Sequence, residues 1–270
     1  MLKRILTAVV ALILLLPILI WGGNWGRTAV FALIAGFSVY EMVSCCGLLK
    51  NILISVPCIL GSALCVFVPM VCKNRFFGAA AAMLFLVSLV LIYFLFYAVF
   101  NHKKVNVERL LMFFALVIYI TAGFTSLAGM GYAFGVWAIA FVLAVSWSTD
   151  TFAYFSGMLF GKRKLCPDIS PKKTIAGAIG GTIFGTLAGL LVFWIAGIKL
   201  QFAIYALPLS IVSQLGDLSA SVVKRHMGVK DYGKIFPGHG GVVDRFDSII
   251  PVSILMAVVF SVHIVFSGLI

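Results

Sequence analysis

Apolar runs long enough to cross a bilayer recur from one end of this 270-residue chain to the other. They leave little choice of fold. In lipid only a helix or a closed barrel satisfies its own backbone, and a spanning helix needs roughly 20 mainly apolar residues. Nine segments meet that need: 5–22, 28–49, 51–72, 76–100, 110–129, 135–158, 174–197, 200–222 and 249–269. The expected fold class is therefore all-α, a polytopic integral membrane protein of nine transmembrane helices. Charged residues make up only 10% of the chain, against about 25% in soluble domains, which excludes the soluble classes. Lys50 and Asn51 alone part the second and third segments, so a tight hairpin or one broken unit is predicted there.

The first segment follows Lys3 and Arg4, as in a signal peptide. No small-x-small cleavage site follows it, and Trp21 and Trp25 stand where an interfacial belt belongs, so a retained anchor is expected. The net charge of +12 would suit nucleic acid, but topology accounts for it. With nine spans, 16 of the 20 Lys and Arg fall on the side of the N-terminus. The positive-inside rule puts that side in the cytoplasm and the C-terminus outside.

The six cysteines show no CxxC spacing. Cys45, Cys46, Cys58, Cys65 and Cys72 lie in or beside apolar segments and read as small packing residues; Cys166 stands alone in a loop. In segment 174–197, Gly177, Gly181, Gly185 and Gly189 fall on nearly one helical face. Such a face lets helix backbones approach closely in lipid.

Polar chemistry is concentrated late. Residues 1–129 carry few ionisable groups inside segments, Glu41 being the exception, and read as scaffold. Residues 130–270, with loops 159–173 and 223–248, read as the working region. Asp217 lies seven residues before Lys224, about 10 Å of helix below the interface. An ionisable group at that depth is costly and points to function, or to a structural ion pair. Asp244 and Asp247, three apart, are expected on one face at the start of the last segment, where they could cap the helix or hold a hard cation. Mg²⁺ typically takes one or two carboxylates plus waters and substrate phosphates. Three acidic residues, Asp217, Asp244 and Asp247, thus form the expected metal site.

Around them, KRHMGVKDYGKIFPGHGG supplies Lys224, Arg225, Lys230, Lys234 and His239. Its glycines Gly238, Gly240 and Gly241 let backbone approach a ligand or cradle an anion. Ser170 before Pro171 predicts the start of the seventh helix, with Lys172 and Lys173 in its first turn. Cations there oppose the helix dipole, so an anionic partner is expected beside a topological role. Asp150, with Ser146, Ser148 and Thr149, marks a polar stretch in the sixth segment, for substrate or for structure. His263 reads as a packing histidine.

The stretch SVVKRHMGVKDYGKIFPGHGGVVDRFD, residues 221–247, resembles the signature of the phosphatidate cytidylyltransferase (CDP-diacylglycerol synthase) family. Matching positions run from Ser221, Lys224 and Arg225 through Lys230, Asp231 and Gly233. They continue with Phe236, Pro237, His239, Gly240, Gly241, Asp244, Arg245, Phe246 and Asp247. STDTFAYFSGMLFGKRKLCPDISPKKTIAG and QLGDLSASVVKR are similar to that family as well.

The resemblance implies an enzyme that transfers the cytidylyl group of CTP to phosphatidic acid, giving CDP-diacylglycerol and pyrophosphate, in the inner (cytoplasmic) membrane with its site facing the cytoplasm. It implies Mg²⁺ on Asp217, Asp244 and Asp247. Lys224, Arg225, Lys230, His239 and Arg245 would hold phosphates, and Lys172 and Lys173 would serve the substrates. Gly240, Gly241 and Asp150 are the further substrate-binding candidates. The resemblance admits a second cation such as K⁺ and a homodimer, and involves no nucleic acid. The alternatives are a transporter of an anionic solute and a CTP-dependent lipid kinase that moves the γ-phosphate.

Overall fold

The computed structural model describes residues 13, 15–73, 76–102, 106–197, 204–233, 235 and 240–266; for 76–81 and 263–266 it describes the backbone alone. The chain forms two compact units. One comprises residues 1–133 with 232–243, the other 134–231 with 244–270.

The first unit is built from α1 (Gly23–Cys45), α2 (Ile52–Cys65), a single turn α3 (Val68–Val71), α4 (Phe76–Phe100) and α5 (Val107–Phe134, its last residue counted with the second unit). The expected hairpin is present: α1 and α2 pack together, joined by a turn closed by hydrogen bonds from Gly47 N–H to Ser44 O and from Asn51 N–H to Leu48 O. The third segment, read as one run over 51–72, is broken instead. Proline has no N–H to continue a helical ladder, so Pro69 cannot donate to the carbonyl four residues earlier. That residue is Cys65, where α2 ends.

Phe31, Ala35, Val39 and Met42 bury one side of α1. Hydroxyls join the other helices: Ser62 Oγ and Thr121 Oγ1 lie 2.7 Å apart between α2 and α5. Asn51 bonds the Tyr97 hydroxyl, tying α4 back to the start of α2. Phe94 of α4 sits against Phe113 and Phe114 of α5.

The second unit holds α6 (Val136–Phe160), a β-hairpin of β1 (Lys164–Cys166) and β2 (Ser170–Thr174), α7 (Ile175–Ala196), α8 (Ala206–His226), the single turn α9 (Val243–Phe246, whose first residue belongs to the first unit) and α10 (Ile249–Phe266). Gly135, at φ +76°, interrupts the apolar run between α5 and α6 with a conformation other residues rarely adopt.

The glycine column of α7 is buried against α6, as the spacing predicts. A methyl group on Gly177 would lie 2.6 Å from the Ala153 carbonyl oxygen, and one on Gly181 2.8 Å from that of Thr149. Polar contacts then set the register of α8: Thr149 Oγ1 and Ser210 Oγ are 2.7 Å apart, and Gln214 Nε2 donates to Thr182 Oγ1 at 2.9 Å. Phe141 of α6 packs on Phe193 of α7, both buried, with ring centroids 4.5 Å apart, and Phe134 packs on Phe260 of α10 at 4.7 Å.

Among the described residues, six helices are long and apolar enough to cross a membrane: Gly23–Cys45, Ala82–Phe100, Val107–Phe134, Val136–Phe160, Ile175–Ala196 and Ala206–His226. Ile52–Cys65 and Ile249–Val262 are apolar but shorter. The protein is thus a helical membrane protein. Half of the first predicted segment, 5–12 and 14, lies outside the described residues; 15–21 are helical. The hairpin β1–β2 is an addition to the all-α expectation.

Candidate active site

The seventh helix begins later than its sequence suggests. Ser170 and Pro171 mimic an N-cap followed by a first-turn proline, but residues 170–174 form strand β2, paired antiparallel with β1 through Lys164 opposite Thr174 and Cys166 opposite Ser170. Pro171 is tolerated because a two-stranded ribbon consists of edge strands. The true cap is Thr174, whose Oγ1 accepts from Gly177 N–H at 3.1 Å. Lys172 and Lys173 therefore sit on a strand rather than in a helical first turn, and no dipole opposes them. Neighbouring strand residues point to opposite faces. Accordingly Lys173 reaches Asp217 of α8, with Nζ 2.7 Å from Oδ2, while Lys172 is exposed.

Nearly three turns before the end of α8, Gly216 makes a close approach to the segment after α9. A Cβ there would run into the Pro251 ring and lie 2.8 Å from the Asp247 carbonyl oxygen. Asp217 is carried in beside Asp247 by this contact. Asp244 and Asp247 do not share the first turn of the last long helix as expected. Asp244 is on α9, Asp247 is in the turn after it, and α10 starts at Ile249.

They converge nonetheless, on Lys224. Its Nζ donates to Asp244 Oδ1 at 2.9 Å and lies 3.7 Å from Asp247 Oδ2. Asp247 Oδ1 accepts from Ser248 N–H at 2.9 Å, and Ser248 Oγ donates to Asp150 Oδ2 at 2.8 Å. Asp150 itself is exposed on one side of α6. Burial, then the Asp217 carboxylate, push the Asp247 carboxyl up to about 7, against the pull of Lys224; Asp150 and Asp244 add to the rise.

Four carboxylates and two lysines thus share one neighbourhood. Arg225, Lys230 and Arg245, close to Lys224 and Asp244 in sequence, are exposed. Among the described residues no three His, Cys, Asp or Glu side chains gather closely enough to hold an ion unaided. The donor set still fits a hard cation. The oxygens are carboxylate, Asp247 is buried among like charges, and Asp244 and Asp247 already share one cationic group. Two carboxylates with substrate phosphates suffice for Mg²⁺.

The first unit holds the glycine-rich segment. Gly240 has φ +84°, as a nest-forming backbone requires, and Gly241 is buried. His239, Lys234 and Gly238 lie outside the described residues. Glu41, noted from sequence only as an ionisable exception in an apolar run, is buried at 2% exposure. It accepts from Val242 N–H and Val243 N–H at 2.9 and 3.0 Å. A carboxylate within an apolar helix is the signal that points to it, but its partners lie some 200 residues away, beyond any local pattern.

Known proteins match the chain over nearly its full length. The model of the cytidylyltransferase family matches residues 2–263. The phosphatidate cytidylyltransferase of Staphylococcus haemolyticus is 38% identical over 256 residues, 91% of this chain and 93% of that protein. That of Staphylococcus aureus is 36% identical over 255 residues, with the same coverage. That of Brucella melitensis is 48% identical over 125 residues, 46% of each chain.

Proposed function

The chain belongs to the cytidylyltransferase family, and from that premise we propose that it transfers the cytidylyl group of CTP to phosphatidic acid, giving CDP-diacylglycerol and pyrophosphate for phospholipid biosynthesis. It is a nucleotidyltransferase of the membrane. The observation that carries the reading is the Asp244–Lys224–Asp247 cluster with Asp217 beside it.

A phosphatidate oxygen attacks the α-phosphorus of CTP in line. A new P–O bond forms, the bond to the bridging oxygen breaks, and pyrophosphate leaves with that electron pair. Such chemistry rests on positioning and charge stabilisation. A phosphate monoester is largely ionised at neutral pH, so neither a protein nucleophile nor a strong general base is needed.

Lys173 and Lys224, each held on a carboxylate, are placed to turn to phosphate oxygens. There they stabilise charge developing on the leaving group. Arg225, Lys230 and Arg245 collect the nucleotide phosphates from solution, and Lys172, on the other face of β2, meets the lipid headgroup. Asp150, fixed by Ser248, is a substrate contact. Gly240 and Gly241 offer backbone N–H groups to phosphate, with His239 alongside in sequence. Asp217, Asp244 and Asp247 would hold Mg²⁺, which would neutralise charge on the α-phosphate and the pyrophosphate.

In this reading residues 130–270 carry the chemistry, residues 1–129 are scaffold, and nine spans cross the inner membrane with the N-terminus cytoplasmic. The exposed Trp21, Trp25, Trp137 and Trp194 support the topology, because all four fall at segment ends opposite the basic ones, where an aromatic belt belongs.

Purified protein incubated with phosphatidic acid, Mg²⁺ and CTP labelled at the α- or the γ-phosphate tests the reaction. Label from the α-position is expected in lipid. Transfer from the γ-position alone would replace this reading with a lipid kinase.

A further inference from the structure

Glu41 brings together two parts of the chain that lie far from it in sequence. Its side chain is buried, and both carboxylate oxygens are used: Oε1 accepts from Val242 N–H and Oε2 from Val243 N–H. Two glycines flank it. A Cβ on Gly233 would collide with Oε1 and one on Gly241 with Oε2. The residues on either side of segment 234–240 thus meet on one carboxylate, and neither has a side chain that would keep them off it.

A buried charge in an apolar helix is costly unless its hydrogen bonds are made. Packing alone would be served better by a leucine or methionine. A glutamine would not substitute either, since its NH₂ group would face one of the two N–H donors. What the carboxylate does is fix the direction of the backbone at Gly241–Val243. Gly240 and Gly241 are the backbone donors assigned above to the nucleotide phosphates, and Asp244 follows directly in the chain.

We propose that Glu41 is a positioning residue for the nucleotide, a carboxylate that holds the backbone at 240–243 in the geometry in which it meets the phosphates of CTP. The inference rests on the cytidylyltransferase reading for the identity of the ligand. Glu41 itself touches no substrate.

The test uses the full-length protein in detergent and compares wild type with Glu41→Gln, Glu41→Asp and Gly241→Ala. Amide hydrogen exchange across 240–243 is expected to quicken in all three variants. Glu41→Asp, which keeps both oxygens but is one methylene short, is expected to be the mildest. With α-labelled CTP, the KM for CTP is expected to rise about tenfold in Glu41→Gln, the scale of one charge-assisted hydrogen bond, with the KM for phosphatidic acid little changed. The double variant Glu41→Gln with Gly241→Ala should cost little more than either alone, because both disturb one contact.

A carboxylate serving only stability would lower the folded fraction, and hence kcat, and leave the KM for CTP alone; that result overturns the proposal. Unchanged exchange at 242–243 also overturns it. Failure of wild type to place α-label in lipid refutes the reaction instead, and the exchange comparison still judges Glu41.

Discussion

Gly216 of α8 lies against the ring of Pro251 in α10 with no room for a methyl group between them. The neighbouring obstacle, the Asp247 carbonyl, is backbone and cannot swing aside. This contact sets the spacing of the acidic residues, because Asp217 follows Gly216 and Asp247 is the group it meets. Gly216→Ala is expected to destabilise the protein by about 1–3 kcal/mol, the usual cost of overpacking, and to lower turnover. Gly61, within α2, has nothing near the place its Cβ would occupy. There Gly61→Ala should gain up to about 1 kcal/mol of helix propensity. Thermal unfolding of the two variants beside wild type checks both; equal midpoints for all three would refute the spacing argument.

Lys224 is the counter-ion of two largely buried carboxylates, with side-chain exposures of 4% for Asp244 and 11% for Asp247. Removing one partner of a buried pair leaves the other uncompensated, at about 3–5 kcal/mol. Lys224→Ala should therefore unfold at a lower temperature, and Mg²⁺ should restore more of its stability than it adds to wild type. Calorimetry with and without the cation measures this. A variant as stable as wild type, or one indifferent to Mg²⁺, would contradict the shared-cation reading of the cluster.

Asp247 gives the cluster a pH dependence whose sign changes with the cation. Its carboxyl is pushed up to about 7 in the folded protein, from about 3.9 when unfolded. Between those values the folded state binds more protons than the unfolded one, so without metal stability falls as pH rises from about 4 to about 7. A cation on the carboxylate competes with that proton, so Mg²⁺ should stabilise little below pH 6 and strongly above pH 7, as expected from the folded value near 7. Asp247→Asn should flatten both curves. A metal-free midpoint that rises across this range would refute the assignment.

Local pattern carried much of this architecture. The four-residue spacing of glycines in α7 named the face that meets α6, and the Lys50–Asn51 break named the first hairpin. Pattern failed where two local codes coincide. Ser170–Pro171 satisfies the rules for a helix start, yet the chain adds a strand and caps at Thr174, because a two-stranded ribbon accepts proline. The three-residue interval of Asp244 and Asp247 suggested a shared helical face, whereas the chain turns between them and Lys224 brings them together. Glu41 was visible as an anomaly only. Its partners are set by the tertiary fold, and no window of sequence contains both.

The glycine column on α7 has a consequence for how the protein behaves outside its bilayer. Gly177 and Gly181 face carbonyl oxygens of α6 with no room for a methyl group between, so the seam is made of backbone meeting backbone in close van der Waals contact. Attraction of that kind owes nothing to the surrounding solvent. Extraction into detergent should leave α6 and α7 joined as a single rigid strut, with Asp150 and the lysine-bearing hairpin keeping their places on it.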